Sequence, residues 1–212
     1  MGIVNNPDCI IFAAGDPIPK EQVLPYLNHN PFIITADGGY PFAMYVGCTP
    51  NLILGDFDSS ACPETDIETL RLNPIKDDTD SAVAVKEAVK RGFTEIVLFG
   101  GTGSRLDHTF ANFDLCAYAK TQGANLTVAD IHHRVFVLQN ETQVLSKDDS
   151  KYVSVFALGG ACTVTLKGFY YPLEKFTFEP FCGLGVSNEI TSDIAEITVS
   201  SGTALIFITD KD

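Results

Sequence analysis

The 212-residue chain has no tryptophan, only two methionines, and 14 lysines and arginines against 27 aspartates and glutamates, for a formal charge of −13. So few basic residues argue against nucleic acid or an anionic membrane as a partner, because both recruit basic surfaces. The acidic balance suits small cations and positively charged substrates, although acidic solvation alone would also account for it. The six cysteines, Cys9, Cys48, Cys62, Cys116, Cys162 and Cys182, form no C-x-x-C pair and stand at no ligand-like spacing from the four histidines. That argues against a zinc site and reads instead as small buried side chains in a reducing cytoplasm. Long hydrophobic runs are missing too. The longest early one, Cys9 to Gly15, is too short to span a bilayer. It follows Asp8 rather than a basic segment, unlike a signal peptide, and Asn6 stands where N-myristoylation requires Ser or Thr.

What remains is ordinary for a folded protein: 45% hydrophobic and 19% charged residues, enough for one large domain or two small ones. The chain changes character part-way. In residues 1–133, short apolar runs (9–15, 31–39, 51–56, 72–75, 95–101 and 125–130) alternate with helical patterns around 19–29, 39–46, 63–71, 79–91 and 108–122. Ala82, Val85, Ala88 and Val89 make the clearest helical stripe, closed by Gly92; Phe110, Phe113 and Ala117 read as the core face of another. Alternation of this kind predicts a three-layer α/β domain with a parallel sheet covered on both faces. In residues 134–212, seven β-rich runs separated by Gly, Asn, Asp and Pro predict an all-β sandwich. His132 and His133, where the patterns meet, read as a solvated linker.

Polar residues of the first half gather where strands end. In "NLILGDFDSS", a buried run stops at Gly55 before Asp56 and Asp58, which as i and i+2 of an extended segment point to one side. Two like charges in one small volume repel unless a cation lies between them; the alternative is an Asx-rich turn. Three further tips follow the same rule: Asp37-Gly38-Gly39, then Lys76-Asp77-Asp78-Thr79-Asp80, then Gly100-Gly101-Thr102-Gly103-Ser104-Arg105 with Asp107 and His108. Open parallel sheets bind ligands beyond the carboxyl ends of their strands, so four tips on one edge make a candidate site.

The glycine run carries no G-K-[S/T] and so is not a Walker A loop, nor does it match the dinucleotide G-x-G-x-x-G. It can still bring backbone N–H groups to an anion ahead of a helix, with Arg105 able to fork onto phosphate oxygens; a tight turn is the other reading. Aspartates near Asp77 and Asp80 exceed what a helix cap needs. Together with Asp56 and Asp58 they offer the hard oxygen ligands that Mg²⁺ prefers, completed by water and phosphate. His108 could act as a base but better suits a helix-start contact to phosphate or backbone, and Asn112, one turn on, a polar contact to nucleotide.

In this order, "ADGG", "GDFDS", "KDDTDSA", "GGTGSRLDHTFAN" and the later "SNE" (187–189) resemble the thiamine pyrophosphokinase family over nearly the whole chain. The resemblance implies an α/β catalytic domain, a C-terminal β-sandwich and a homodimer that transfers pyrophosphate from ATP to the hydroxyl of thiamine, leaving AMP. It implies Mg²⁺ on Asp56, Asp58 and Asp80, with Asp77 on metal or substrate. ATP would be held by Asp37, Gly38, Gly39, Lys76, Gly100, Gly101, Thr102, Gly103, Ser104, Arg105, His108 and Asn112. Asp107 would orient Arg105 or meet thiamine, and Ser187 and Asn188 would lie on the thiamine side, contributed by the sandwich of the partner subunit where the two subunits meet. Asp78 stands where the family varies. With no tryptophan, any stacking on thiamine must come from Phe or Tyr. Two other functions fit parts of the pattern: a Mg²⁺-dependent phosphohydrolase with an aspartyl nucleophile, and a non-catalytic nucleotide-sensing module. The first usually carries its D-x-D after an early first strand, whereas here it follows the third.

Overall fold

The computed structural model describes residues 3–57, 64–73, 77–180 and 182–211. They form two compact units, one of residues 4–131 and one of residues 132–211 joined by Ile3.

Six parallel strands build the first unit: β1 (Cys9–Phe12), β2 (Phe32–Ala36), β3 (Leu52–Gly55), β4 (Glu68–Arg71), β5 (Glu95–Phe99) and β6 (Asn125–Ala129). Their order in the sheet is β4-β3-β2-β1-β5-β6. All four residues of β1 and of β3 are buried, as expected where helices cover both faces of a parallel sheet. The helices are α1 (Lys20–Val23), α2 (Gly39–Val46), α3 (Asp80–Lys90) and α4 (Leu106–Thr121). On the α2 face, the Phe12 ring lies 5.7 Å from Phe99 in a stacked pair and 5.0 Å from Phe42 edge-on, while Tyr26 meets Phe99 at 5.4 Å. Such pairs add about 0.5–1.5 kcal/mol each beyond the area they bury. Ala82, Ala84, Val85 and Ala88 form the buried side of α3, which packs on β1, β2 and β3.

Three local expectations fail here. Residues 63–71 do not make a helix, because Glu68–Arg71 is the edge strand β4 and residues 58–63 lie outside the described set. An edge strand with three exposed residues shows no period of two, and Ile67 and Leu70, three apart, mimic a helical spacing. Of the strand expected over 72–75, residues 74 and 75 lie outside the described set, and Leu72, just past β4, donates its N–H to Gly55 O at 2.9 Å. The helix expected at 19–29 is one α-turn followed by a 3₁₀ turn, Leu24–Leu27, since Pro25 has no N–H to continue the ladder. On α4 the buried residues are Asn112, Cys116 and Ala119, not Phe110, which is 64% exposed.

The second unit comprises β7 (His133–Leu138), β8 (Glu141–Ser146), β9 (Lys151–Ala157), β10 (Cys162–Lys167), β11 (Leu173–Phe178), β12 (Ile194–Ser201) and β13 (Ala204–Asp210). They pair antiparallel as β7-β13-β9 and as β11-β10-β12-β8. Phe136, Val155 and Ile206 from one set share a core with Val164, Phe178 and Ile197 from the other, which makes a β-sandwich. The histidines are not a free linker. His133 opens β7, and His132 Nδ1 lies 3.1 Å from Asp210 Oδ2.

Gly39 shows how closely the first unit is packed. A Cβ there would fall 1.9 Å from Phe12 O and 2.4 Å from its carbonyl carbon, backbone atoms that cannot give way. Gly39→Ala should therefore lower the unfolding free energy by about 2–4 kcal/mol in urea titrations. Gly160→Ala, where a Cβ meets nothing within 4 Å, should change it by less than about 1 kcal/mol. Equal effects would show that the close approach is not what fixes residue 39 as glycine.

Candidate active site

Chain order reverses at β1. Its loop leads to β2 on one side, while β5 lies on the other and leads away to β6. Such a switch point leaves a crevice beyond the strand ends, and two backbone bonds define it. Gly15 N–H donates to Gly100 O at 2.9 Å and Asp16 N–H to Thr102 O at 3.0 Å, so the β1 and β5 loops run against each other. A Cβ on Gly15 would stand 2.1 Å from Thr102 O and 2.3 Å from Gly100 O; only glycine permits this approach. Asn112, 4% exposed, donates from Nδ2 to Gly101 O at 2.6 Å, and Thr102 Oγ1 donates to Asp130 Oδ2 at 2.9 Å. The glycine loop is thus fixed from three directions before any ligand arrives.

Over it opens a cavity of about 320 Å³, walled by residues 14–16, 36–37, 79–81 and 100–105 with His108, Thr109 and Asn112. Two helices begin on its rim. Thr79 caps α3 by accepting Ala82 N–H at 3.2 Å, and α4 starts directly after Arg105. Both helices direct their unsatisfied N–H groups and positive dipole ends toward the cavity mouth, while Asp16, Asp37 and Asp80 stand on its walls. The Arg105 guanidinium forks onto Asp107, Nη2 to Oδ2 at 2.6 Å and Nε to Oδ1 at 3.2 Å. That contact, chiefly, holds the Asp107 carboxyl down at about 2. Donors for anions and carboxylates for cations alternate around one space, an arrangement suited to a polyphosphate with a hard cation.

Of the residues named from sequence, Asp37, Asp80, Gly100, Gly101, Thr102, Gly103, Ser104, Arg105, His108 and Asn112 line this cavity. Gly38 lines a neighbouring groove, and Gly39 is the buried start of α2. Asp56 follows β3, and Asp77 precedes α3, without lining the cavity; Asp107 reaches it through Arg105. Asp58 and Lys76 lie outside the described residues. Asp78 is paired with Lys86 at 2.6 Å. Among the described residues, no three of His, Cys, Asp and Glu come close enough together to hold a metal by themselves.

The cavity also contains residues given no role from sequence: Gly15, Asp16, Thr79, Ser81 and Thr109. "AAGDP" after the first apolar run was a fifth strand-end tip with the same Gly-Asp signature, so the signal for Gly15 and Asp16 was present.

In the sandwich unit, Ser187 is exposed with φ 58°, and its N–H donates to Ser154 Oγ at 3.0 Å. Asn188 is buried. Its Oδ1 accepts from Tyr171 N–H at 3.0 Å and Glu189 N–H at 2.9 Å, and its Nδ2 donates to Tyr171 O at 2.9 Å. That side chain braces the turn and fixes the backbone of Tyr171, whose ring, like that of Tyr170, is largely exposed.

Residues 23–128 match the family model "Thiamin pyrophosphokinase, catalytic domain", and residues 138–206 match "Thiamin pyrophosphokinase, vitamin B1 binding domain". The chain belongs to the thiamine pyrophosphokinase family. The thiamine pyrophosphokinase of Bacillus subtilis is 26% identical over 199 residues, covering 88% of this chain and 91% of that one. The solved structure from the same organism superposes with a TM-score of 0.86 at 24% identity, covering 96% and 99% of the two chains. That of the Geobacillus thermodenitrificans thiamin pyrophosphokinase gives 0.84 at 26% identity, with 96% and 98% covered. Family membership makes the chain an enzyme of the thiamine pyrophosphokinase type and sets aside the phosphohydrolase and sensing-module readings.

The Arg105–Asp107 pair has a direct pH signature. A depressed carboxyl pKa means the contact is complete above the ordinary value of 3.8 and is lost as pH falls through about 2. Carboxyl-carbon NMR should place the Asp107 midpoint near about 2, and Arg105→Ala should return it toward 3.8. A midpoint that ignores the substitution would show that the fork does not form in solution.

Proposed function

We propose that the chain transfers pyrophosphate from ATP to thiamine, giving thiamine diphosphate and AMP, with the 320 Å³ cavity at the sheet switch point as the polyphosphate site. One observation carries the reading. A rigid glycine loop and two helix N-termini face the same space as Asp16, Asp37 and Asp80. Gly100 to Ser104 and the start of α4 hold phosphate oxygens, Arg105 neutralises them, and Asn112 keeps Gly101 in place.

The thiamine hydroxyl oxygen forms a bond to the β-phosphorus, and the bond from that phosphorus to the oxygen shared with the α-phosphate breaks. AMP departs with the shared oxygen. The hydroxyl proton passes late to a carboxylate, Asp77 or Asp80. Reactions of this kind depend on alignment and charge neutralisation more than on a strong base. Oxygen-only donors fit a hard divalent ion that keeps water and takes phosphate oxygens. We assign it as Mg²⁺ held by Asp56, Asp58 and Asp80. When bound it would neutralise charge on the transferred group.

Thiamine contacts on the sandwich unit are assigned to Ser187 and Asn188, the latter through the turn it braces. A homodimer is supported by apolar side chains left in solvent, Leu106 at 77% and Phe110 at 64% on successive turns of α4, since exposed apolar patches mark interfaces. A cytoplasmic location agrees with the free thiols of Cys9, Cys48, Cys116, Cys162 and Cys182.

Purified protein with ATP, Mg²⁺ and thiamine should yield thiamine diphosphate and AMP in equal amounts by chromatography. Chelation should stop the reaction and added Mg²⁺ restore it. Asp56→Asn and Asp58→Asn should abolish turnover with the fold intact, and Asp80→Asn should lower kcat by at least about 100-fold. Free phosphate in place of AMP, or near-normal rates in all three variants, would overturn the proposal.

A further inference from the structure

Asp16 follows β1 and stands on the wall of the polyphosphate cavity. Two constraints hold it there. Pro17 disfavours helical backbone at the residue before it, and the Asp16 N–H donates to Thr102 O at 3.0 Å. Its carboxylate lies along the glycine loop, since a Cβ built on Gly103 would stand 3.5 Å from both Cγ and Oδ1 of Asp16. Other acids at this edge of the sheet are committed to partners: Asp107 forks with Arg105, Asp130 accepts from Thr102, and Asp78 pairs with Lys86. Among the described residues, no hydrogen bond or ion pair holds the Asp16 carboxylate. A fixed negative charge thus faces a space otherwise built for anions, and it repels any bare phosphate that enters.

We infer that Asp16 sets which form of the polyphosphate this site takes: it admits the metal-bound chain and turns away the bare one. The inference rests on the polyphosphate reading of the cavity and adds a specificity-determining residue to it. The glycine loop, the N-termini of α3 and α4 and Arg105 all attract negative charge. Left to themselves they would hold the bare chain hardest, because it carries the most charge. A bare chain would then fill the site without the ion that the transfer uses. Repulsion from Asp16 grows with the same ligand charge, so it falls most heavily on that form. The chain with Mg²⁺ bound has lost much of its charge and presents metal-bound water, whose hydrogens a carboxylate oxygen accepts. One side chain therefore penalises the unproductive ligand and tolerates the productive one, a discrimination made by repulsion.

Titration calorimetry with inorganic tripolyphosphate, once in EDTA and once in excess Mg²⁺, tests this. It is run on the unsubstituted protein, Asp16→Asn and Asp16→Ser, with thermal melts to confirm that each folds. Loss of the charge should tighten binding of bare tripolyphosphate by about tenfold at low salt, and the gain should shrink as salt is raised. Binding in Mg²⁺ and the KM for thiamine should stay within about threefold, since only a water-mediated contact is lost. The preference for the metal-bound chain should therefore narrow in both variants. An unchanged preference in both would overturn the inference, as would an equal shift for the two forms, a gain indifferent to salt, or a rise in the KM for thiamine alone. Failure of the unsubstituted protein to bind tripolyphosphate in either form would instead overturn the polyphosphate reading beneath it.

Discussion

Two backbone hydrogen bonds at the carboxyl end of the parallel sheet, from Gly15 to Gly100 and from Asp16 to Thr102, hold the loops after β1 and β5 against each other. These loops belong to strands adjacent in space but separated by more than 80 residues, and without the bonds each would be an ordinary surface turn. With them, the glycine loop has a rigid back wall, the α4 N-terminus has a fixed aim, and Asp16 stands on the cavity wall. The bonds require that no side chain intervene. The constraint therefore passes to the sequence as glycine at 15 and at 100, where a Cβ would fall 2.4 Å from Ala13 O.

The parts of the fold that were legible in the sequence are those where one physical demand acts alone. Buried parallel strands such as "CIIF" and "LILG" are apolar at every position, and sandwich strands such as "CTVTLK" alternate, so both periods appear undiluted. Residues 67–72 answer to a different demand. As an edge strand, β4 buries little, and its side chains are chosen by solvent and by pairs such as Glu68 with Arg91 at 2.5 Å. No period of two marks it. Phe110 misled for the opposite reason: an aromatic at helical spacing reads as core, yet the inward face of α4 is given to Asn112, which must reach Gly101 O.

The candidate site was legible as a set of strand-end tips, because carboxylates and glycines after an apolar run have few structural reasons to recur. What sequence could not supply was the division of labour among them. Asp37 and Asp80 stand on the cavity wall while Asp77 does not, and Asp107 acts on Arg105 two residues away. Whether a helix has begun by a given residue sets which way its side chain leaves the backbone, and that depends on the Thr79 cap and on Arg105 preceding α4. Asn188 makes the same point in the other unit. Its amide is committed to Tyr171 and Glu189, so a residue of recognisable motif serves by shaping a turn.

Electrostatics raises one further question: how a chain of net charge −13 receives a polyphosphate. At long range the field favours thiamine and divalent cations and opposes free ATP, which argues for nucleotide arriving with its charge already partly neutralised by metal. At short range, in the proposed polyphosphate site, the sign reverses, because helix N-termini act within about one turn of a ligand and Arg105 lines the cavity. Its fork onto Asp107 uses Nε and one N–H of Nη2, which in the proposed site leaves three further N–H groups for phosphate oxygens. A guanidinium tethered in this way gives up less side-chain freedom on binding than a free one. The tether's cost is that Asp107 offsets part of the cation's charge, and at an exposed site salt screens both effects. The pair is therefore better understood as fixing where Arg105 points than as adding attraction.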